Sequence, residues 1–595
     1  MKNLVSILLM ILLININTTN VNGQYHFDVS NHDDVINNNI NNNLYYNYLI
    51  VTPDNDGIRQ WADTLARFRN EQGIATEVIS INEIGENSPI VLNKYFKEIH
   101  DRYNLSAILL FGDYDNDSTN GITSFYLKNN LENNVYYLSD NKLVDFNYDN
   151  LPEICIARIP AADAQQAELM VKKTMRYERE PSTNPEYYNR PVTAMGFEEE
   201  RWFQLCSEVI AGYFENNGRE PNRLNSIYSG TPDSVWSTNV NTNLIINYFG
   251  SNGLNYIPDN LEHLTDWHAN QDDLSRAIND GTFLVQHRDH GVFQAWNNPY
   301  FSNKEINDLY NEDLTFIMSA NCQTGDFSYG NGDDDCFAER FLRDENGAVA
   351  VVAASQVSYS YVNDTYVWGF FDYLWNDFMP NYGSNDIDFK YPAFANVYGK
   401  YFLKQSSWPY LSIHKDLTYN LFHYFGDAYL QLNTEMPQEI DISYPKEILT
   451  DCSSFSISKD NKTRVAFSVD GEIIATSFGE DTLINIEPFY KEGRIKVVAT
   501  KQDHYRHEGY IHVKSYLDHT DLNIYPNPAK DIVYIEGKEI KEVMVYNTLG
   551  QVLMRINNNA VTEKMELNCS TLKKGLFHLH IIYEDKRVVK SLVVM

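Results

Sequence analysis

The chain has 595 residues, 43% of them hydrophobic, and a formal net charge of −34. That length and apolar content suit several cored domains. The acidic balance excludes the basic footprint of a nucleic-acid binder, and every apolar stretch is too short to span a bilayer.

At the amino terminus, Lys2 precedes an apolar run over 4–14, then polar residues, then Val21-Asn22-Gly23. This is the charged, apolar and small-residue order of a secretory signal, so residues 1–23 are expected to be cleaved near Gly23 and the protein exported. Residues 24–43, rich in Asn and Asp with no periodicity, read as a disordered leader. With so short a leader, no folded domain is expected ahead of the first strand. Six cysteines (Cys155, Cys206, Cys322, Cys336, Cys452 and Cys569) lie far apart with no CxxC pair. Export permits disulfides, but these spacings define no framework.

Strand and helix patterns then alternate. Residues 45–51, 76–79, 107–111 and 153–160 read as strands. Residues 56–73, with apolar Ile58, Trp61, Leu65 and Phe68, and residues 90–103 and 162–179 read as helices. This order predicts a parallel sheet covered on both faces. Asp113 follows one strand, and Asp149 and Glu153 precede the next. They are either solvated loop acids or a hard-cation site of the kind calcium takes.

Residues 191–196 open a second α/β unit, followed by Glu198, Glu199 and Glu200 at a helix start. Acids there suit the helix dipole, and one of them could orient a histidine. The stretch 281–327 holds two apolar runs ending in reactive residues, His290 followed by Gly291, and Cys322. Such runs read as buried parallel strands, and chemistry in parallel sheets collects beyond strand carboxyl ends. A Cys–His pair is the minimum for thiolate attack on a carbonyl. Taken singly, Cys322 reads as a small core residue and His290 as a loop residue; their equivalent positions favour chemistry. The N–H groups of Gly291 and Cys322 would then hold an oxyanion. His287, three residues earlier, competes with His290 but has no Gly after it.

Asp289-His290-Gly291 with Phe293-Gln294-Ala295-Trp296 resembles the Gly-His-Gly…Ala-Trp segment of the gingipain cysteine peptidases. Residues 320–327 with Cys336-Phe337-Ala338-Glu339, the run 347–355, and Phe425-Gly426-Asp427 are similar to later segments of that family, in the same order. The resemblance implies a caspase-like α/β catalytic region of two parallel-sheet subdomains. It implies Cys322 as nucleophile and His290 as proton carrier, with Glu198 as the orienting acid and Glu199 as the alternative. No cofactor is expected for catalysis. Structural calcium is implied at Asp113, Asp149 and Glu153, with backbone oxygens of Phe146 and Leu151. Arginine-directed members carry an aspartate where Phe203 aligns, which argues against strict Arg or Lys cleavage. Tyr359 and Tyr361 fall where the family builds a substrate-pocket wall.

After Leu432 helical spacing gives way to alternating runs. Residues 463–469 and 472–476 flank Asp470-Gly471, a hairpin signal, so 435–518 reads as an immunoglobulin-like β-sandwich. Residues 519–595 resemble the sorting domain read by the type IX secretion machinery of Bacteroidetes-type bacteria. The expected fold is therefore an α/β caspase-like region over 44–190 and 191–434 followed by two all-β sandwich domains. The expected activity is a secreted or surface cysteine endopeptidase acting on protein or peptide substrates, exported across the periplasm of a Gram-negative cell. The alternatives are a gingipain-like sortase or transpeptidase, and a catalytically inert surface-binding protein.

Overall fold

The computed structural model describes residues 47–232, 235–329, 335–382, 387–406, 411–479, 482–515, 522–558, 562–583 and 587–595. The expected signal 1–23 and leader 24–43 lie outside the described residues. Strand β1 (Tyr48–Thr52) is buried along its whole length. Helix α1 (Asp56–Glu71) follows, started by the Asn55 side chain, which accepts the N–H groups of Gly57 and Ile58. Ile58, Ala62, Leu65 and Phe68 form its buried stripe. Then come β2 (Thr76–Ser80), α2 (Pro89–Tyr103) with proline in its first turn, and β3 (Ala107–Phe111). A hairpin of β4 (Phe125–Lys128) and β5 (Tyr136–Ser139) precedes β6 (Cys155–Ile159) and α3 (Ala164–Arg179).

The next segment brings β7 (Val192–Glu198), α4 (Phe203–Asn216), β8 (Asn222–Ser229) and β9 (Leu284–Arg288). Three short strands, β10 (Gly291–Val292), β11 (Ala295–Trp296) and β12 (Phe301–Ser302), form a small antiparallel sheet. They are followed by β13 (Thr315–Ser319), α5 (Phe337–Arg343), β14 (Ala348–Ala354), α6 (Val362–Leu374), α7 (Pro392–Gln405), α8 (Ser412–Leu421) and β15 (Phe422–Phe425).

Ten of these strands make one sheet in the order β2-β1-β3-β6-β15-β14-β13-β9-β7-β8. The two parallel halves suggested by the sequence are thus joined edge to edge. β15 runs parallel to β6 but antiparallel to β14. The carboxyl ends of the two halves therefore lie on opposite rims. Ser355, just past β14, donates to the Leu138 carbonyl ahead of β6, whereas Asp113, just past β3, stands at the other end of β6, its N–H donating to the Ala161 carbonyl.

Beyond β15 every element among the described residues is a strand. One compact unit holds the chain through Asp441 together with Lys459–Asp481 and Val498–Glu508. Within it the strands Arg464–Val469 and Glu472–Ser477 form the expected hairpin, with Asp470 and Gly471 at φ 55 and 92. Two successive left-handed residues match the right-handed twist of the flanking strands, and Gly471 adopts that conformation without a Cβ clash. A second unit holds Ile442–Ser458, Thr482–Val497 and Gly509–Met595. There, Asn523–Tyr525, Ile532–Glu536 and Lys564–Asn568 form one sheet. Glu542–Tyr546, Val552–Asn557, Gly575–Ile582 and Arg587–Val594 form another. Alternate residues such as Val533, Ile535, Val543, Val545, Leu579 and Ile581 are buried in a common core.

A buried charge cluster fastens the first half of the sheet. The Asp427 carboxylate accepts the Tyr48 hydroxyl at 2.8 Å and pairs with Arg69 at 2.8 Å; Arg69 also pairs with Glu178 at 2.7 Å. None of these three charged side chains is more than 6% exposed. This gives Phe425-Gly426-Asp427 a physical role: it ties the end of β15 to β1, α1 and α3. Breaking a buried pair strands the remaining charge. Asp427→Ala is expected to cost about 3 kcal/mol in urea unfolding, whereas Lys172→Ala, in a surface pair with Glu168, costs under about 0.5 kcal/mol.

Candidate active site

Strands β9 and β13 are parallel neighbours with Ser319 opposite His287, and the Ala320 N–H donates to the His287 carbonyl at 3.0 Å. Three residues further along each chain stand His290 and Cys322. Gly291 locks this meeting. A Cβ there would sit 2.7 Å from the Cys322 carbonyl oxygen and 3.0 Å from Thr324 Cγ2, so only glycine lets this backbone lie against the cysteine turn. The turn is tight: Gln323 has φ 58, and the Thr324 N–H donates to the Cys322 carbonyl at 2.7 Å.

β7 lies on the other side of β9, with Met195 opposite Arg288, and its last residue, Glu198, reaches His290. His290 Nε2 donates to Glu198 Oε2 at 3.0 Å. That bond assigns the proton to Nε2 and leaves Nδ1 as the basic nitrogen. Arg201 lies 3.4 Å from the same Glu198 oxygen. Two rings fix the imidazole: Phe203 edge-on at 5.4 Å between centroids, and Tyr228 tilted over it at 4.3 Å. Tyr228 ends β8 and carries no sequence signal, because its neighbour His290 lies sixty residues on with no shared spacing.

The Cys322 sulfur is half-buried. It accepts the Ser358 N–H at 3.4 Å, and the Ser358 hydroxyl lies 3.9 Å away, itself accepting the Asn363 amide at 2.7 Å. Ser358 and Asn363 carry no local sequence signal and enter from the segment after β14.

His287 has a different environment. It is fully buried, stacked on Trp296 at 4.1 Å and 3°, and burial pushes its pKa down to about 3. Its Nδ1 accepts the Asn321 amide at 2.6 Å, and its Nε2 donates to the Asn298 carbonyl at 3.1 Å. Asn321 Oδ1 in turn accepts the Ser319 and Thr324 hydroxyls. This neutral network orients the residue preceding Cys322.

The expected pocket residues divide. Phe203 is buried, with the Arg288 guanidinium 4.1 Å from its ring centroid. Tyr359 stacks on His414 at 4.6 Å, and its hydroxyl bonds Asn129 and Glu132 in the β4–β5 turn. Tyr361 has φ 73, a costly conformation for an aromatic residue. Its hydroxyl donates to the Glu200 carbonyl at 2.7 Å, and its ring meets Trp202 edge-on. Tyr359 and Tyr361 thus follow Ser358 in the same segment and pack in different directions.

The expected cation residues are not all together. Carboxylate oxygens of Asp145, Asp149 and Glu153 lie within 4.8 Å of one another. Asp113 is at the opposite rim, paired with Arg343 at 2.8 Å. The reason is topological: β3 and β6 are parallel with Phe111 beside Ile159, so Asp113 follows one end of β6 while Glu153 precedes the other. The sequence reading missed Asp145. It is fully buried, paired with Lys142, and it accepts the N–H groups of Asp149 and Asn150 at 3.0 Å each. Burial raises the Glu153 carboxyl, whose oxygen accepts the Phe146 N–H.

Asp289, between Arg288 and His290, is 1% exposed, and burial pushes its pKa up to about 8. An acid held protonated by the fold stabilises it fully at low pH, and that contribution fades as pH rises through the folded pKa. Between about pH 4 and pH 8 the wild type is therefore expected to lose stability that Asp289→Asn retains, a difference read from thermal melts across that window.

Residues 41–433 match the family model described as Peptidase family C25, and residues 523–595 match that of the secretion system C-terminal sorting domain. Gingipain R2 of Porphyromonas gingivalis is 22% identical over 440 residues, covering 70% of this chain and 50% of the relative. Lys-gingipain of the same organism is 24% identical over 252 residues, 38% of this chain and 14% of the relative. The chain thus spans about half, or less, of the length of these curated relatives. The solved structure of the Arg-specific cysteine proteinase gingipain R superposes with a TM-score of 0.63 at 18% identity. The match covers 79% of this chain and 98% of that one.

Proposed function

From the premise that the chain belongs to Peptidase family C25, we propose that it is a cysteine endopeptidase that cleaves peptide bonds through a thioester acyl-enzyme. The observation that carries this reading is the strand register that brings His290 level with Cys322 while Glu198 holds the far imidazole nitrogen. His290 Nδ1 takes the Cys322 proton, and the thiolate attacks the scissile carbonyl. The N–H groups of Gly291 and Cys322 receive the developing oxyanion, which is why a backbone pressed against the cysteine turn matters. His290 then gives its proton to the leaving amine, and a water activated by the same nitrogen opens the thioester. Glu198 keeps the proton on Nε2 and offsets the imidazolium charge.

The carboxyl-terminal sorting domain directs the protein to the type IX machinery and so to the cell surface or beyond. Its substrates are proteins or peptides. Titration with a thiol alkylator and a peptide library tests the activity. Labelling at Cys322 that falls with His290→Ala, together with hydrolysis abolished by Cys322→Ala, is expected. Glu198→Gln, which leaves the tautomer unfixed, is expected to lower kcat by about 10²–10⁴. Labelling without turnover on any peptide would reject the peptidase in favour of an inert binder, and amine-adduct products would favour a transpeptidase.

The donor set of Asp145, Asp149 and Glu153 suits calcium: three hard carboxylates converge, and burial already disfavours the charged form of Glu153. Backbone oxygens of Phe146 and Leu151 would complete the shell. A bound cation supplies charge that holds this loop against α8. Millimolar calcium is expected to raise the wild-type melting temperature and to leave Asp149→Asn unmoved; equal responses from both would rule this site out.

A further inference from the structure

We infer that the side-chain pocket beside Cys322 is filled from within by Arg288, so that the enzyme rejects a cationic side chain on the residue preceding the scissile bond and accepts uncharged ones. This rests on the peptidase reading and specifies its substrate class.

Arg288 ends β9 two residues before His290 and is 2% exposed. Its Nε donates to Asp364 Oδ1 at 2.6 Å, its Nη1 donates to the Ala320 carbonyl at 2.9 Å, and its guanidinium carbon lies 4.1 Å from the Phe203 ring centroid. Its Nη2 is buried with no hydrogen-bond partner among the described residues. These surroundings adjoin the proposed reacting groups, and the buried Cys206 of α4 also lies against Arg288. Ala320 is two residues before Cys322. Phe203 meets the His290 ring edge-on. Asp364 Oδ2 accepts the Tyr361 N–H at 2.8 Å, three residues beyond the Ser358 N–H that points at the Cys322 sulfur.

A carboxylate, a carbonyl acceptor and an aromatic face around one planar cation are the components with which a protein would recognise an arginine side chain. Here the chain supplies that arginine itself. A second cation brought to the same place would meet repulsion and no free carboxylate. Phe203 brings an uncharged ring to the enclosure, and the carboxylate of Asp364 is already taken by Arg288. A purely structural ion pair would show the same bonds, but deleting its arginine would not confer a new substrate preference.

Three proteins test this: wild type, Arg288→Ala, and Arg288→Ala with Asp364→Asn. Each is profiled on peptides varied only at the residue before the scissile bond, and each is melted with low-millimolar guanidinium chloride against equal sodium chloride. The wild type is expected to cleave after Arg or Lys about tenfold or more slowly, in kcat/KM, than after its best uncharged residue. Arg288→Ala is expected to gain about tenfold or more after Arg and to melt higher with guanidinium; the double variant does neither. Wild-type preference for Arg or Lys, or guanidinium stabilising single and double variants alike, overturns the proposal. Folding of Arg288→Ala only with guanidinium present counts as the expected rescue. If it folds in neither condition, the wild-type profile alone decides. No hydrolysis by any variant, with guanidinium still bound by Arg288→Ala, overturns the peptidase reading and leaves the filled cavity standing.

Discussion

The lateral register of β9 and β13 governs the site. Ser319 opposite His287 sets the two chains level, and the next three residues of each carry the imidazole and the sulfur to one rim. A slip of one residue would turn each side chain to the other face of the sheet. Gly291 makes the register hard to change, because its backbone already touches the Cys322 carbonyl. The His287–Asn321–Ser319–Trp296 network adds a second clamp on the same turn. Geometry at Cys322 is therefore set by packed strands and buried amides, with little left to the exposed loops.

The strands bearing His290 and Cys322 were legible because apolar runs ending in polar residues are a local signal. The all-β tail was legible for the same reason, through alternation and the Asp470-Gly471 turn. Relations between distant segments were not. Phe203 gave no hint that it lies against both His290 and Arg288, and Tyr228 from β8 and Ser358 from the segment after β14 reach the site from far away in the chain. In a parallel sheet the residue after one strand and the residue before the next lie on opposite rims, so the arrangement read from the sequence already separates Asp113 from Asp149 and Glu153. β15 has only four residues, too few to show that it runs against β14 and fuses two half-sheets into one.

The excess of acidic groups hides a different interior. Arg69, Arg158, Arg288 and Arg343 are each 3% exposed or less, and each is paired with at least one buried carboxylate. Their partners lie in other segments: Asp427 for Arg69, Asp140 for Arg158, Asp364 for Arg288, Asp113 for Arg343. Such pairs add little net stability, because desolvation offsets attraction, but they penalise wrong arrangements heavily. In this chain they act as registration points between loops that the sheet alone does not fix. Glu339, which shares Arg343 with Asp113 and Asp335, has its carboxyl pushed up to about 7 by burial against the lowering pull of that arginine.

β15 also carries a consequence for the order of assembly. The strand that joins the halves is the last of the ten in the chain, arriving some 260 residues after β6, its partner on one side. Until residues 422–425 are in place, β6 and β14 each present an open hydrogen-bonding edge, a template for unwanted pairing between molecules. A polypeptide emerging amino terminus first therefore cannot complete its central scaffold early. The long-range closure makes folding slow and leaves those two edges open to unwanted pairing until the final strand inserts.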